Sequence, residues 1–393
     1  MESERILFEL FVMFAAAKVA GEILERIHQP PIIGEILVGM ALGSHALGLI
    51  RDTDVNIALQ QLGAIALLFM VGLDVSLQEV KKVGARALTV GGAGILLPFL
   101  TGAGLIYAVA GSIDEAMFMG AAMVATSVGI TARVLADLGV VHETESRIIL
   151  GAAVVDDVLG LLVLGLITGL TRGNASALGL AALAVGAIGF VVVVAAFGTR
   201  IVSALAPHID KAQIERGELA AALSICLGLS VVAGAIGLAA IVGAFLAGMA
   251  FSETRRRWEL HVQFDPVYHL LVPFFFVVTG ARVDPGVLVD PSTAGLVAAV
   301  TALAIIGKLV GCGGASWGLG ARSMWIIGVG MVPRGEVGLI VASVGLNAGI
   351  IGRDLYGVVV AMSILTTLVT PPVLKLLVSR RPPADAPAGE AAS

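Results

Sequence analysis

Two adjacent carboxylates stand in an apolar run where charge is costly. Asp156 and Asp157 lie in Gly151-Ala-Ala-Val-Val-Asp-Asp-Val-Leu-Gly160, near the middle of a predicted membrane helix. A charge at the centre of a bilayer costs about 2.5–3.5 kcal/mol on insertion scales. Two such groups persist where they face a wet cavity and bind something. Consecutive helical residues point about 100° apart, so one carboxylate can face a neighbouring helix while the other faces an aqueous funnel. Low dielectric disfavours a bare carboxylate, which therefore holds either a proton or a hard cation. Oxygen ligands suit a small alkali cation, and both aspartates are candidate ligands for one.

Lys308, in Ala304-Ile-Ile-Gly-Lys-Leu-Val-Gly311, is the candidate partner for one aspartate; a lysine reaching to the interface is the plainer alternative. Two further stretches read as interrupted helices: Ala125-Thr-Ser-Val-Gly-Ile-Thr131 and Val332-Pro-Arg-Gly-Glu-Val-Gly338. Proline removes a backbone donor, and glycine, here including Gly129, permits unwinding. Unwound backbone at membrane depth is tolerated where it lines a cavity or is buried in protein. Thr126 and Ser127 supply hydroxyl oxygens near the proposed ion. Arg334 and Glu336 can compensate the partial charges of the half-helix ends, or form a structural pair.

The remaining polar residues read as supporting features. Lys18 and Glu22 have helix-stabilising i, i+4 spacing, with Glu25 one turn on. Glu35, just after Pro30-Pro31, reads as interfacial. The run Arg255-Arg256-Arg257 is a topology signal with some capacity for anionic lipid. The six histidines fall in loops or near helix ends, where a pH-sensing role is open to some of them. Cys226 and Cys312 sit in apolar runs and read as packing residues without disulfide or metal spacing.

The elements that must position these groups are helices in lipid. The 393 residues are 58% hydrophobic and 13% charged, with a mean hydropathy of +1.00. Soluble domains carry about a quarter charged residues. A net charge of −5 offers no electrostatic footprint for nucleic acid. Fifty glycines suit close helix–helix approach in lipid. Thirteen apolar runs are long enough to be membrane helices, at about 6–25, 31–48, 57–77, 84–110, 114–138, 147–171, 176–203, 217–234, 237–252, 265–282, 292–317, 321–349 and 353–378. The first is read as a retained helix rather than a signal peptide. The tail from Ser379 is expected to be disordered. With the N-terminus outside, predicted cytoplasmic segments carry 16 Lys and Arg against 5 outside, Arg133 and Lys375 among the 16. That asymmetry predicts N-out, C-in in a bacterial-type inner membrane.

An internal repeat accompanies this pattern. Ile33-Gly-Glu-Ile-Leu-Val-Gly-Met-Ala41 resembles Val242-Gly-Ala-Phe-Leu-Ala-Gly-Met-Ala250 at an offset of 209, which also pairs Val128-Gly129 with Val337-Gly338 and Asp157 with Thr366. Each pair lies seven predicted helices apart, which predicts halves of opposite orientation. Inverted repeats of this kind are typical of secondary transporters. The fold class expected is therefore all-α integral membrane, with an inverted repeat and two crossed, unwound helices.

Taken together, Val154-Val-Asp-Asp-Val-Leu-Gly160, Ala125-Thr-Ser-Val-Gly-Ile-Thr-Ala-Arg133, Ile306-Gly-Lys-Leu-Val310 and Val332-Pro-Arg-Gly-Glu-Val-Gly338 resemble the monovalent cation:proton antiporter-2 family, from about Ile6 to Leu377. The resemblance implies the NhaA/NapA-like antiporter fold and a homodimer in lipid. It implies a dimerisation domain from 1–83 and 172–291, a mobile core from 84–171 and 292–378, and a tail over 379–393. It implies Asp157 as the main carrier of cation and proton, Asp156 paired with Lys308 when no cation is bound, and elevator-like transport. Paired aspartates resemble the electrogenic type, with two protons exchanged for one sodium ion. No cofactor, enzymatic activity or nucleotide-binding regulatory domain is expected. A Kef-type potassium/proton antiporter is the near alternative. A symporter, a gated cation channel and an intramembrane aspartyl protease are more distant ones. The protease needs two facing aspartates from separate helices.

Overall fold

The computed structural model describes residues 2–27, 29–75, 77–171, 177–211, 215–254, 258–282, 286, 293–334 and 336–379. Among these, every regular element is helical: α1 (Glu2–Arg26), α2 (Pro31–Leu42), α3 (Asp54–Asp74), α4 (Leu77–Ala110), α5 (Ile113–Val124), α6 (Val128–Asp137), α7 (Thr144–Thr171), α8 (Ala177–Ile209), α9 (Gly217–Ala235), α10 (Ala240–Phe251), α11 (Leu260–Ala281), α12 (Ala294–Lys308), α13 (Ala321–Gly330), α14 (Glu336–Asn347) and α15 (Arg353–Ser379). Eight of the spans are long and apolar enough to cross a membrane. Local chemistry sets several starts. Pro31 opens α2, where a missing N–H costs nothing. The Thr53 and Ser112 side chains accept from the N–H groups of Asn56 and Glu115 to cap α3 and α5.

Counted as spans, with α5–α6 and α13–α14 each one interrupted crossing, the described residues hold the thirteen that the sequence predicts. Several boundaries differ. The runs at 31–48 and 237–252 yield helices of 12 residues each, α2 and α10, about 18 Å long. Arg133, assigned to a loop by its charge, lies inside α6 and is buried; Lys375 lies inside α15. The run at 292–317 ends as α12, followed by a π-turn over Leu309–Gly313. Arg255–Arg257 and the tail from Arg380 lie outside the described residues.

The repeat is carried by the backbone. Residues 31–42 and 240–251 are helices of equal length at the predicted offset, and the starts of α7 and α15 keep it. Glycines set how closely these elements meet. Gly72 of α3 and Gly248 of α10 face each other, and a Cβ on either would strike carbonyl oxygens of the other helix, those of Phe245 and Phe69. Gly39 of α2 leaves the same space for the Val277 carbonyl of α11. Backbones in such contact pack without side chains between them. Gly248→Ala is therefore expected to destabilise the protein by about 1–3 kcal/mol, read as a lower melting temperature in detergent. An unchanged melting temperature would contradict this contact.

Other polar residues settle close to where the sequence places them, with Glu22 choosing Arg26 over Lys18. Glu22 pairs with Arg26 at 2.8 Å, while Lys18 lies 5.3 Å from the Phe14 ring centroid. His142, in the turn after α6, and His261, at the start of α11, both approach the Asp74 carboxylate at the end of α3, at 3.8 and 2.9 Å. Both cysteines are free and buried.

Candidate functional site

The site is built where the two helix breaks meet. α5 stops at Val124, the chain runs extended through Ala125, and α6 begins at Val128. α13 stops at Gly330, and Pro333, which cannot donate, lies in the gap before α14. The gaps satisfy each other's backbone. The Ser127 N–H donates to the Pro333 carbonyl at 2.8 Å, and the Thr131 hydroxyl to the Gly330 carbonyl at 2.6 Å. The Thr126 hydroxyl reaches the Met331 carbonyl at 3.4 Å. Freed backbone groups must find such partners when no water is at hand. Thr131→Val is expected to cost about 1–3 kcal/mol by orphaning the Gly330 carbonyl; thermal unfolding of the variant beside wild type checks it.

Asp156 projects from α7 into this crossing. Its carboxylate accepts the Thr126 backbone N–H at 2.9 Å and lies 3.3 Å from Lys308 Nζ. The aspartate is 1% exposed and the lysine 0%, so the lysine does not reach for an interface. Room for the ammonium comes from α4. A Cβ at Gly94 would stand 2.5 Å from Cys312 Sγ and 3.2 Å from Lys308 Nζ. The π-turn directly after Lys308 widens the helix there; such turns are frequent at functional sites.

Asp157, on the same helix, points elsewhere. It lines a narrow cavity with Leu68, Val128, Leu150, Val154, Ile241 and Phe245, between α3, α6, α7 and α10. The two carboxylates therefore divide as adjacent helical positions allow, one in a buried ion pair and one at a cavity.

Arg334 is fully buried in the second break. Its Nη1 donates to the Met331 and Val332 carbonyls at 3.2 and 3.1 Å, which places a cation at the C-terminal end of α13. Its backbone N–H donates to the Thr366 hydroxyl at 3.2 Å, and the Thr367 hydroxyl donates to its carbonyl at 3.0 Å. Nε and Nη2 have no hydrogen-bond partner among the described residues. Thr366 and Thr367 were not singled out as site residues in the sequence, although the repeat pairs Thr366 with Asp157.

The other predicted site residues fall as follows. Thr126 acts on Asp156 through its backbone, its hydroxyl being directed to Met331. Ser127 is buried and makes no side-chain cap bond. Gly129 does not unwind the chain; it lies in the first turn of α6, where its missing side chain leaves room for the Phe275 ring. Glu336 opens α14, and its side chain lies outside the described residues, as does Gly335.

A buried acid–lysine pair beside a cavity-facing acid, held by two crossed broken helices within an inverted repeat, defines an ion-coupled secondary transporter. The chain belongs to the sodium/hydrogen exchanger family, whose transmembrane model matches residues 11–380. It is 34% identical to the Na(+)/H(+)-K(+) antiporter GerN of Bacillus cereus, over 94% of this chain and 95% of that protein. It is also 34% identical to the high-affinity Na(+)/H(+) antiporter NhaS3 of Synechocystis, over 97% of this chain and 92% of the relative. Among solved structures, the sodium proton antiporter MjNhaP1 of Methanocaldococcus jannaschii shares the fold, with a TM-score of 0.69 at 17% identity, over 97% of this chain and 99% of that one.

Proposed function

We propose that this protein exchanges Na+ for protons across the membrane, with the two ions competing for Asp157. One observation carries the reading: Asp157 faces a cavity at the crossing, while its neighbour Asp156 is held by Lys308 at 3.3 Å. A carboxylate that faces a cavity can take either ion, and its neighbour becomes available when the lysine lets go. Charge accounting links the two events. In the proton-loaded form Asp157 is neutral and Lys308 charged. In the cation-loaded form both aspartates are charged, Na+ is bound and Lys308 has lost its proton. Two protons then leave for each Na+ that enters the site, and one net charge moves per cycle. Arg334, charged throughout, offsets the second carboxylate.

The core over 84–171 and 292–378 would slide against a dimerisation domain over 1–83 and 172–291, in a homodimer with the N-terminus outside the inner membrane. The shared apolar cluster of α5, α12 and α15 supports a unit of this kind. A K+/H+ exchanger is the second reading, favoured by the potassium in the name of the Bacillus relative. The protease alternative is disfavoured by two aspartates that diverge from one helix. The deciding experiment measures Na+- and K+-triggered collapse of a proton gradient in proteoliposomes. Collapse by Na+ at lower concentration than K+ supports the proposal. Collapse by K+ alone supports the second reading, and collapse by neither rejects both.

A further inference from the structure

Glu35 does not lie at an interface with water. It is 3% exposed, and its Oε2 has no hydrogen-bond partner among the described residues. Gly34 and Gly39 press α2 onto the Ala20 carbonyl of α1 and the Val277 backbone of α11, so the carboxylate is carried into the protein by helix packing. The charged groups around it are Arg133 and Asp137 of α6 and the exposed Lys18 of α1. Arg133 is itself 9% exposed. Its Nε donates to the Asp137 carboxylate at 2.9 Å, and its guanidinium carbon lies 5.5 Å from the Tyr268 ring centroid of α11. The guanidinium is thus held by Asp137, while Glu35 on the neighbouring α2 makes no ion pair among the described residues. An unpartnered buried carboxylate is costly, and arginine has enough donors to serve both.

The two carboxylates sit on different helices, Glu35 on α2 and Asp137 on α6. α6 begins at the helix crossing and is tied to α13 through Thr131, so Arg133 and Asp137 are joined to the ion site. α2 packs mainly on α1 and α11 and touches α6 along its edge. We propose that Glu35 is a positioning residue for ion exchange: Arg133 passes from Asp137 to Glu35 as α6 shifts against α2, so the guanidinium stays paired throughout the movement. This rests on the antiport reading above. It assigns Glu35 to the rate of the conformational step and not to ion affinity.

The test uses full-length protein in proteoliposomes, with Na+ as the probe. Glu35→Gln keeps the shape and removes the charge. Its maximal exchange rate is expected to fall about tenfold, with the half-saturating Na+ concentration within about twofold of wild type. Arg133→Gln should lose rate similarly, and the double variant should be no slower than the worse single, since both remove one interaction. Glu35→Asp, which keeps the charge, should recover part of the rate. A wild-type rate in Glu35→Gln, losses that multiply in the double variant, or an effect on half-saturation alone would overturn the proposal. If Glu35→Gln does not elute as folded protein, Glu35→Asp carries the test against Glu35→Ala, and equal loss in the two overturns it. Asp157→Asn is assayed alongside. Full exchange in that variant rejects the ion-site reading, whereas its loss together with a normal Glu35→Gln rejects only the role of Glu35.

Discussion

Asp157→Asn is expected to abolish Na+-triggered proton movement, by at least about a hundredfold, while leaving the protein folded. Asparagine has the same shape, but it neither carries a negative charge to hold a cation nor exchanges a proton in the physiological range. A hundredfold loss corresponds to about 2.7 kcal/mol of lost transition-state stabilisation, well within what one charged ligand supplies. The fold survives because Asp157 faces a cavity and the structural ion pair belongs to its neighbour. The melting temperature in detergent should match wild type or exceed it, since a buried charge has been removed. The measurement is the pair of gradient collapse and thermal unfolding on one preparation. Exchange at wild-type rate would remove Asp157 from the site. Lost exchange with an unfolded protein would show the residue to be structural instead.

Lys308→Gln should act on stability and coupling together. Lys308 and Asp156 are 0% and 1% exposed and 3.3 Å apart. Removing one member of such a pair leaves an uncompensated buried charge and costs about 3–5 kcal/mol. Asp156 would retain the Thr126 backbone N–H, which places the loss at the lower end of that range. Asp156→Asn combined with Lys308→Gln removes both charges and should recover much of the stability, a non-additivity that unfolding measurements read directly. The coupling effect is separate. With no lysine proton to release, exchange in Lys308→Gln should move no net charge per Na+ or stop altogether, as followed by a membrane-potential dye. Unchanged charge movement per cation would take Lys308 out of the coupling.

Much of this architecture was legible because its signals are local. A carboxylate in an apolar run is conspicuous wherever the chain folds, because the cost of burying it is intrinsic to the residue. Pro333 removes a backbone donor whatever surrounds it, whereas Gly129, the residue that marks the other stretch in the sequence, lies inside the first turn of α6 and the break falls just before it. Both breaks still fall within the stretches that were read. The offset of 209 was visible as a repeated Gly-x₄-Gly-Met-Ala pattern because glycines at helix contacts cannot be replaced without a clash. Boundaries set by neighbours were read less well: α2 and α10 are shorter than their apolar runs, and Arg133 is a helix residue counted as a loop charge.

The amino-acid sequence alone determined the span count, the two interruptions, the repeat, and the intramembrane Asp156, Asp157, Lys308 and Arg334. Each follows from the transfer cost or backbone geometry of the residues themselves. Only the tertiary structure decided how those charges are used. Asp156 meets Lys308 across 152 residues of chain, a pairing that the family resemblance implies and that the residues alone leave open between the two aspartates. Thr126 contributes its backbone and not its hydroxyl, Arg334 closes the end of a half-helix, and Glu35 is drawn inside the protein. These outcomes depend on which face of each helix is turned to its neighbour. That is fixed by the joint packing of many helices, where close glycine contacts select one rotation from several that the hydrophobic pattern alone would permit.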